Sequence, residues 1–290
     1  MPIEQNKKHA YLIMAHNKFD QLALLIGLLD DERNDIYLHI DKKAKGFDKK
    51  AFKTNHSNLI FVKRMSVTWG GHSQIKCEMR LFESAGKKHY AYYHLLSGID
   101  MPIKTQDEIH EFFVRHAGKN FINLDEKALT NREFTRRVEW YHLFQNVVGR
   151  SYNFFKCRLR GLQERLISCQ MKLGIKRKEI IPLYKGANWI SVTDEMIRYV
   201  ISQKKLIKKQ FYYSHCADEV FLQSVAMASP YRDTVTGYCL REIDWERGGP
   251  YTFREEDVPA LLSSENLFAR KFDMDIDPEA VRLIAEHIKK

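Results

Sequence analysis

The chain has 290 residues, 44% of them hydrophobic, which suffices for one large α/β domain or two small ones with a sizeable core. No stretch approaches the roughly 20 apolar residues of a membrane span, and the first apolar run, Ala10 to Ala15, is too short for a signal-peptide core, so the chain reads as cytosolic. Five scattered cysteines without a Cys-x-x-Cys pair speak against a disulfide framework or a zinc site, and a formal charge of +10 calls for an anionic partner: nucleic acid, a membrane surface or a phosphorylated small molecule.

In chain order, apolar runs of strand length fall near 10–15, 35–40, 59–63 and 90–96. Between them, Phe19 to Leu29 and Ser73 to Ala85 carry apolar residues at helical spacing, with Ser73 as the expected N-cap of the second. This alternation predicts an α/β fold with crossover helices. A third helix is expected after Pro102, starting near Thr105 or Gln106. The tract from Arg132 to Lys178 is basic, aromatic and helical in pattern, an insertion in a single compact domain spanning 1–290. A strand at Trp189 to Val192, helices at Asp194 to Lys204, Asp218 to Ala228 and Pro278 to Ile288 complete the expectation.

Sheets of this kind bind ligands beyond the carboxyl ends of their strands. Three polar clusters fall there: Ala15-His16-Asn17, His39-Ile40-Asp41-Lys42-Lys43 and Ser97-Gly98-Ile99-Asp100. Each could equally serve as turn and cap chemistry. Trp69-Gly70-Gly71 precedes a helix start, where paired glycines allow close approach of a ligand or simply make a tight turn. Asp273-Met274-Asp275-Ile276-Asp277 mimics a doubled Asp-x-Asp metal motif, but Asp277-Pro278-Glu279 is a good helix start, so no metal site is expected.

Trp69-Gly70-Gly71-x-Ser73, the run Tyr93 to Ile103, Asp218-Glu219, Leu240-Arg241-x-x-Asp244-Trp245 and Leu267 to Asp273 occur in an order that resembles glycosyltransferase family 14. That family holds core-2 and I-branching β-1,6-N-acetylglucosaminyltransferases and peptide O-xylosyltransferases. The resemblance implies a GT-A-like mixed sheet flanked by helices, a UDP-sugar donor, and inversion without a divalent metal or other cofactor. It places Glu219 at the catalytic base, Arg270 and Lys271 at the leaving diphosphate with Arg241 and Arg247 as further candidates, and Asp218 beside the base. Ala15, His16, Asp41, Trp69, Gly70, Gly71, Ser97 and Asp100 fall on the nucleotide and donor side, and Trp189 and Asp218 on the acceptor side. Where the xylosyltransferases carry an acid before this tryptophan, the chain has Asn188, so their acceptor chemistry does not transfer.

The residues alone leave other readings open. Asp218 and Glu219 would also complement a helix dipole, and Trp189 would also serve as core. The expected partners are a UDP-sugar and a glycan or lipid-linked saccharide, with no nucleic acid. A basic nucleic-acid-binding protein and an inactive sugar-binding protein of the same fold are the rivals. The interleaved arginines and apolar residues of 132–178 predict either contact with an anionic membrane, placing the protein at the inner face of the cell membrane, or packing on the domain.

Overall fold

The computed structural model describes residues 8–125, 132–150 and 153–289. Strand β1 (His9–Ala15) leads through α1 (Phe19–Leu28) to β2 (Asn34–Ile40) and β3 (Asn58–Phe61). Helix α2 (His72–Ala85) returns to β4 (Tyr92–Ser97), the short β5 (Met101–Pro102), α3 (Gln106–Arg115) and β6 (Asn120–Asn123). Three helices follow, α4 (Arg132–Glu139), α5 (Gln145–Val148) and α6 (Phe154–Leu173), before β7 (Ile190–Thr193), α7 (Asp194–Ser202), α8 (Lys204–Phe211) and α9 (Phe221–Met227). The chain closes with β8 (Val235–Gly237), β9 (Arg241–Ile243), α10 (Val258–Ser263), β10 (Phe268–Arg270) and α11 (Pro278–Ile288).

A seven-stranded mixed sheet in the order β3-β2-β1-β4-β7-β6-β8 is flanked by helices, the expected GT-A-like α/β arrangement. Strands β3, β2, β1 and β4 run parallel, and β7 runs against both of its neighbours. Because β1 is buried on both faces, it reads as an unbroken apolar run from Ala10 instead of an alternating one, and β2 is likewise buried throughout. Alternate residues of β1 serve different cores: Ala10 and Leu12 pack with Ile75, Phe82 and Phe221, whereas Tyr11 and Ile13 pack with Leu25, Ile109 and Phe113. Burial of these layers supplies the main driving force for the fold.

A second sheet of three short strands, β5-β10-β9, stands after the carboxyl end of β4 and packs with α10 and α11 in a third core. The expectation at α11 holds to the residue: Asp277 caps it, its side chain accepting from Ala280 N at 3.0 Å, with Pro278 first in the helix.

Several boundaries differ from expectation for local reasons. Helix α2 starts one residue earlier, with Gly71 as N-cap, because the Ser73 hydroxyl accepts from Thr68 N at 2.7 Å instead. His39 and Ile40 complete β2, and Trp189 precedes its strand. The helix expected at Asp218 to Ala228 is broken into a 3-10 turn, Ala217–Glu219, and α9, with Val220 at φ −133° between them.

Candidate active site

The turn Ala217–Glu219 is held from two sides. The N–H of Cys216 donates to the carbonyl of Gly70 at 2.9 Å, so the Trp69-Gly70-Gly71 turn packs directly against it. Gly70 has φ +69° and lies where a Cβ would meet the His215 ring at 2.7 Å, so glycine is required on both counts. From α2, Gln74 accepts from Gly70 N and donates to Asp218 Oδ2 at 2.7 Å. Asp218 is buried, and burial, reinforced by the charge of Glu219, pushes its carboxyl up to about 7. Glu219 instead reaches solvent, with its side chain 37% exposed and Arg137 of α4 at 3.5 Å from Oε2. Two adjacent carboxyl groups thus occupy opposite environments, one buried and one open to solvent. The break before α9 also removes Glu219 from the first turn of an α-helix, so complementing a helix dipole does not account for it.

The basic end is built on β10. Arg270 Nη1 donates to Asp100 Oδ1 at 2.7 Å and to Ser97 Oγ. Asp100 is 1% exposed, and it also accepts from Ser97 N and Ser97 Oγ, each at 2.7 Å. The expected donor-side residues Ser97 and Asp100 therefore aim an arginine. The Arg270 guanidinium lies over the Trp189 ring at 4.5 Å, a cation–π contact that fixes its plane. Lys271 follows, its ammonium within electrostatic reach of Asp273 and without a side-chain hydrogen bond or ion pair among the described residues. Its backbone is fixed by Lys271 N to Tyr251 O at 3.4 Å and Phe253 N to Lys271 O at 2.9 Å.

Asp273 and Asp275 are occupied by a protein cation. Lys18, at the start of α1, donates to Asp273 Oδ1 at 2.6 Å and to Asp275 Oδ2. Among the described residues no group of three or more His, Cys, Asp or Glu is arranged to hold a metal ion.

At the strand ends, Asp41 N donates to Ala15 O at 2.9 Å, and the Asp41 carboxylate accepts from Lys43 N at 2.8 Å and Val67 N at 3.3 Å. His16 is exposed beside them. The other two arginines are placed differently from expectation. Arg241 is buried, donating to Ser191 Oγ and to the carbonyls of Cys239, Leu95 and Ile190, and burial pulls it down to about 10. With Nη1 and Nη2 both bound to interior acceptors, Arg241 ties β4, β7 and β9 together. Arg247 pairs with Asp244 and Asp257 and stacks on Tyr251 at 3.9 Å.

One stretch joins the two ends. Gly186 N donates to the Glu219 carbonyl at 3.0 Å, and Trp189, at the other end of Gly186–Trp189, lies under Arg270. A Cβ on Gly186 would fall 1.8 Å from the Asn123 carbonyl oxygen, so only glycine fits. Sequence reading missed Arg137, Gln74, Lys18 and Gly186. Arg137 was hidden in a run of basic residues, and the other contacts join distant parts of the chain with no local signature.

The family model described as Branch: Core-2/I-Branching enzyme matches residues 9–267. Xylosyltransferase 2 of Rattus norvegicus is 24% identical over 309 residues, covering 96% of this chain and 33% of the relative. Xylosyltransferase 1 of Homo sapiens is 24% identical over 305 residues, covering 94% of this chain and 29% of the relative. The chain thus spans about a third of the length of these relatives. The family match contains the Ala217–Glu219 turn and the strand ends and stops at Leu267, just before β10, while the relatives' alignments extend over nearly the whole chain. By that match, the chain belongs to the Core-2/I-Branching enzyme family of glycosyltransferases.

Proposed function

We propose that the protein transfers a sugar, N-acetylglucosamine, xylose or a similar residue, from a UDP-sugar to a hydroxyl of a glycan or lipid-linked polysaccharide precursor, with inversion and without a divalent metal, in the cytoplasm or at the inner face of its membrane. The observation that carries this reading is the link through Gly186–Trp189 between a solvent-reaching carboxylate, Glu219, and a clamped arginine, Arg270.

The chemistry follows from what each end supplies. Glu219 takes the proton of the acceptor hydroxyl as its oxygen bonds to the anomeric carbon from the face opposite the departing group. The bond from that carbon to the phosphate oxygen breaks, and UDP leaves with the electron pair. Arg270, oriented by Asp100, Ser97 and Trp189, and the ammonium of Lys271 offset the charge that develops on the diphosphate. Preorientation matters because donors already aimed at the developing charge need no reorganisation during the reaction. Asp41 and the backbone around Ala15 and His16 form the ledge for the nucleoside beyond the parallel strands. The family membership, and relatives named xylosyltransferases, support the reaction class.

The test is to incubate purified protein with UDP-sugars and hydroxyl acceptors in excess EDTA and read the anomeric configuration of the product by NMR. Inversion with undiminished rate is expected. Retention, or loss of transfer restored by manganese or magnesium, would overturn the mechanism.

A further inference from the structure

Helix α6 is attached to the protein by its polar side. Gln163 is buried, accepting from Phe144 N at 2.9 Å and donating to Gln145 Oε1 at 3.2 Å. Gln170 brackets Tyr141, accepting from its N–H at 2.9 Å and donating to its carbonyl at 3.1 Å, and Arg160 donates to Gly149 O at 2.9 Å. Ile167 is the one buried apolar side chain described on the helix. An amphipathic helix ordinarily packs through its apolar face, and here most of that face is turned outward, with Leu159 and Leu166 half-buried along it.

At 3.6 residues per turn, Phe155, Leu159, Leu162, Leu166, Cys169 and Leu173 form a single stripe, alternating steps of four and three. Phe155, Leu162 and Leu173 are 64%, 44% and 66% exposed. Along one flank, Arg158, Arg165 and Lys172 recur every two turns. Twenty residues span about 30 Å, and no described helix is long and apolar enough to cross a membrane.

We propose that α6 lies flat in the headgroup region of an anionic membrane, with this stripe in the acyl boundary and the Arg158, Arg165, Lys172 row on the phosphates. Charge selects this occupant. The same four-three spacing would suit a coiled coil with a second copy, but antiparallel pairing sets the basic row against itself, and parallel pairing sets it against Lys156, Gln163 and Gln170. Neither arrangement offers an acid, because Glu164 is engaged by Arg136. A surface of anionic headgroups supplies negative charge along the whole row. Helix α4 then connects membrane and base through consecutive residues, Arg136 to Glu164 on α6 and Arg137 to Glu219. The surface stands independently of the transfer chemistry.

The experiment floats the full chain with vesicles of phosphatidylcholine alone or with phosphatidylglycerol. It includes soluble glycerophosphate as competitor and compares wild type with Phe155→Ser/Leu162→Ser/Leu173→Ser and with Arg158→Gln/Arg165→Gln/Lys172→Gln. These positions are on the surface, and unchanged circular dichroism verifies folding. Flotation that needs the anionic lipid, resists glycerophosphate and falls roughly a hundred-fold in the charge variant is expected, at about five-fold for each cation removed. The apolar variant should lose flotation as well. The two exposed cysteines give an orientation readout, since Cys169 lies on the stripe and Cys157 on the opposite side of the helix. In variants retaining only one of them, a polarity-sensitive label at Cys169 should move into the lipid while one at Cys157 stays in water. Absence of flotation, flotation unaffected by the apolar variant, equal label responses, or a dimer in light scattering that the apolar variant dissolves would each overturn the proposal.

Discussion

Arg270, Lys271 and Arg241 share a charge and differ in what their surroundings leave them to do. Arg270 is clamped through Nη1 and lies against a partly exposed indole. Lys271 has a fixed backbone and an ammonium beside Asp273, whereas Arg241 is buried with Nη1 and Nη2 bound to interior acceptors. Removing the two cations should therefore produce different losses. Lys271→Ala is expected to weaken UDP binding and lower turnover together, with the melting temperature nearly unchanged, as calorimetry and steady-state kinetics would show. Arg241→Met should do the reverse, costing about 3 kcal/mol in denaturant unfolding because several buried acceptors lose their donor at once. UDP affinity of the folded fraction should be retained. A loss of UDP binding in Arg241→Met without loss of stability would return that residue to the diphosphate.

The elements were largely legible where one period held long enough. Strands β1, β2 and β4 and helices α1, α2, α3 and α11 follow from apolar runs and helical spacing, and in the structure α3 starts with a capping box of Thr105 and Glu108. The three-residue strands β8, β9 and β10 are too short to show alternation, and only pairing with distant strands makes them strands. In Leu267 to Phe272 a basic pair interrupts apolar residues, a pattern that does not mark Phe268–Arg270 as one strand of a small sheet. Glu219 stands out in the sequence only through resemblance, since Asp218-Glu219 before an apolar run looks like helix capping. What distinguishes it is the 3-10 turn and the distant Arg137, Gln74 and Gly70 that hold it. Gly186 carried no signal at all. Gly186→Ala should displace the loop by forcing its Cβ from the Asn123 carbonyl, costing about 2 kcal/mol or more in unfolding experiments and lowering turnover more than UDP binding. Unaltered turnover would show that the loop does not set the geometry between base and arginine.

The molecule as a whole carries an unusual set of buried titratable groups. His9, His94 and His110 adjoin one another in the interior, His94 Nε2 and His9 Nδ1 standing 3.1 Å apart, and burial holds all three well below the ordinary histidine range, His110 at about 4. His39, His72 and His215 are pulled down to about 4 by the same cause. A histidine that folds neutral contributes stability present above its unfolded value, and that contribution is lost as pH falls, because only the unfolded chain then takes up the proton. Each costs about 1.4 kcal/mol per pH unit below roughly 6.5. Glu78 and Asp218 act oppositely: burial raises both, so they destabilise the fold as pH rises from the ordinary carboxylate range to their folded values, about 7 for Asp218. With more histidines than acids, the melting temperature should fall steeply from pH 7 to 5, and Glu78→Gln should raise it at pH 8. A flat profile from pH 7 to 5 would contradict the buried neutral histidines.

The central claim is that Glu219 is the base of a metal-independent sugar transfer. Its most direct measurement is release of UDP from a panel of UDP-sugars, with acceptor present and EDTA in excess, by wild type and by Glu219→Gln. The account predicts release by the wild-type protein that falls by roughly two orders of magnitude or more in the variant, because general-base catalysis contributes about that much, while UDP binding is unchanged. Equal release by the two proteins would contradict it.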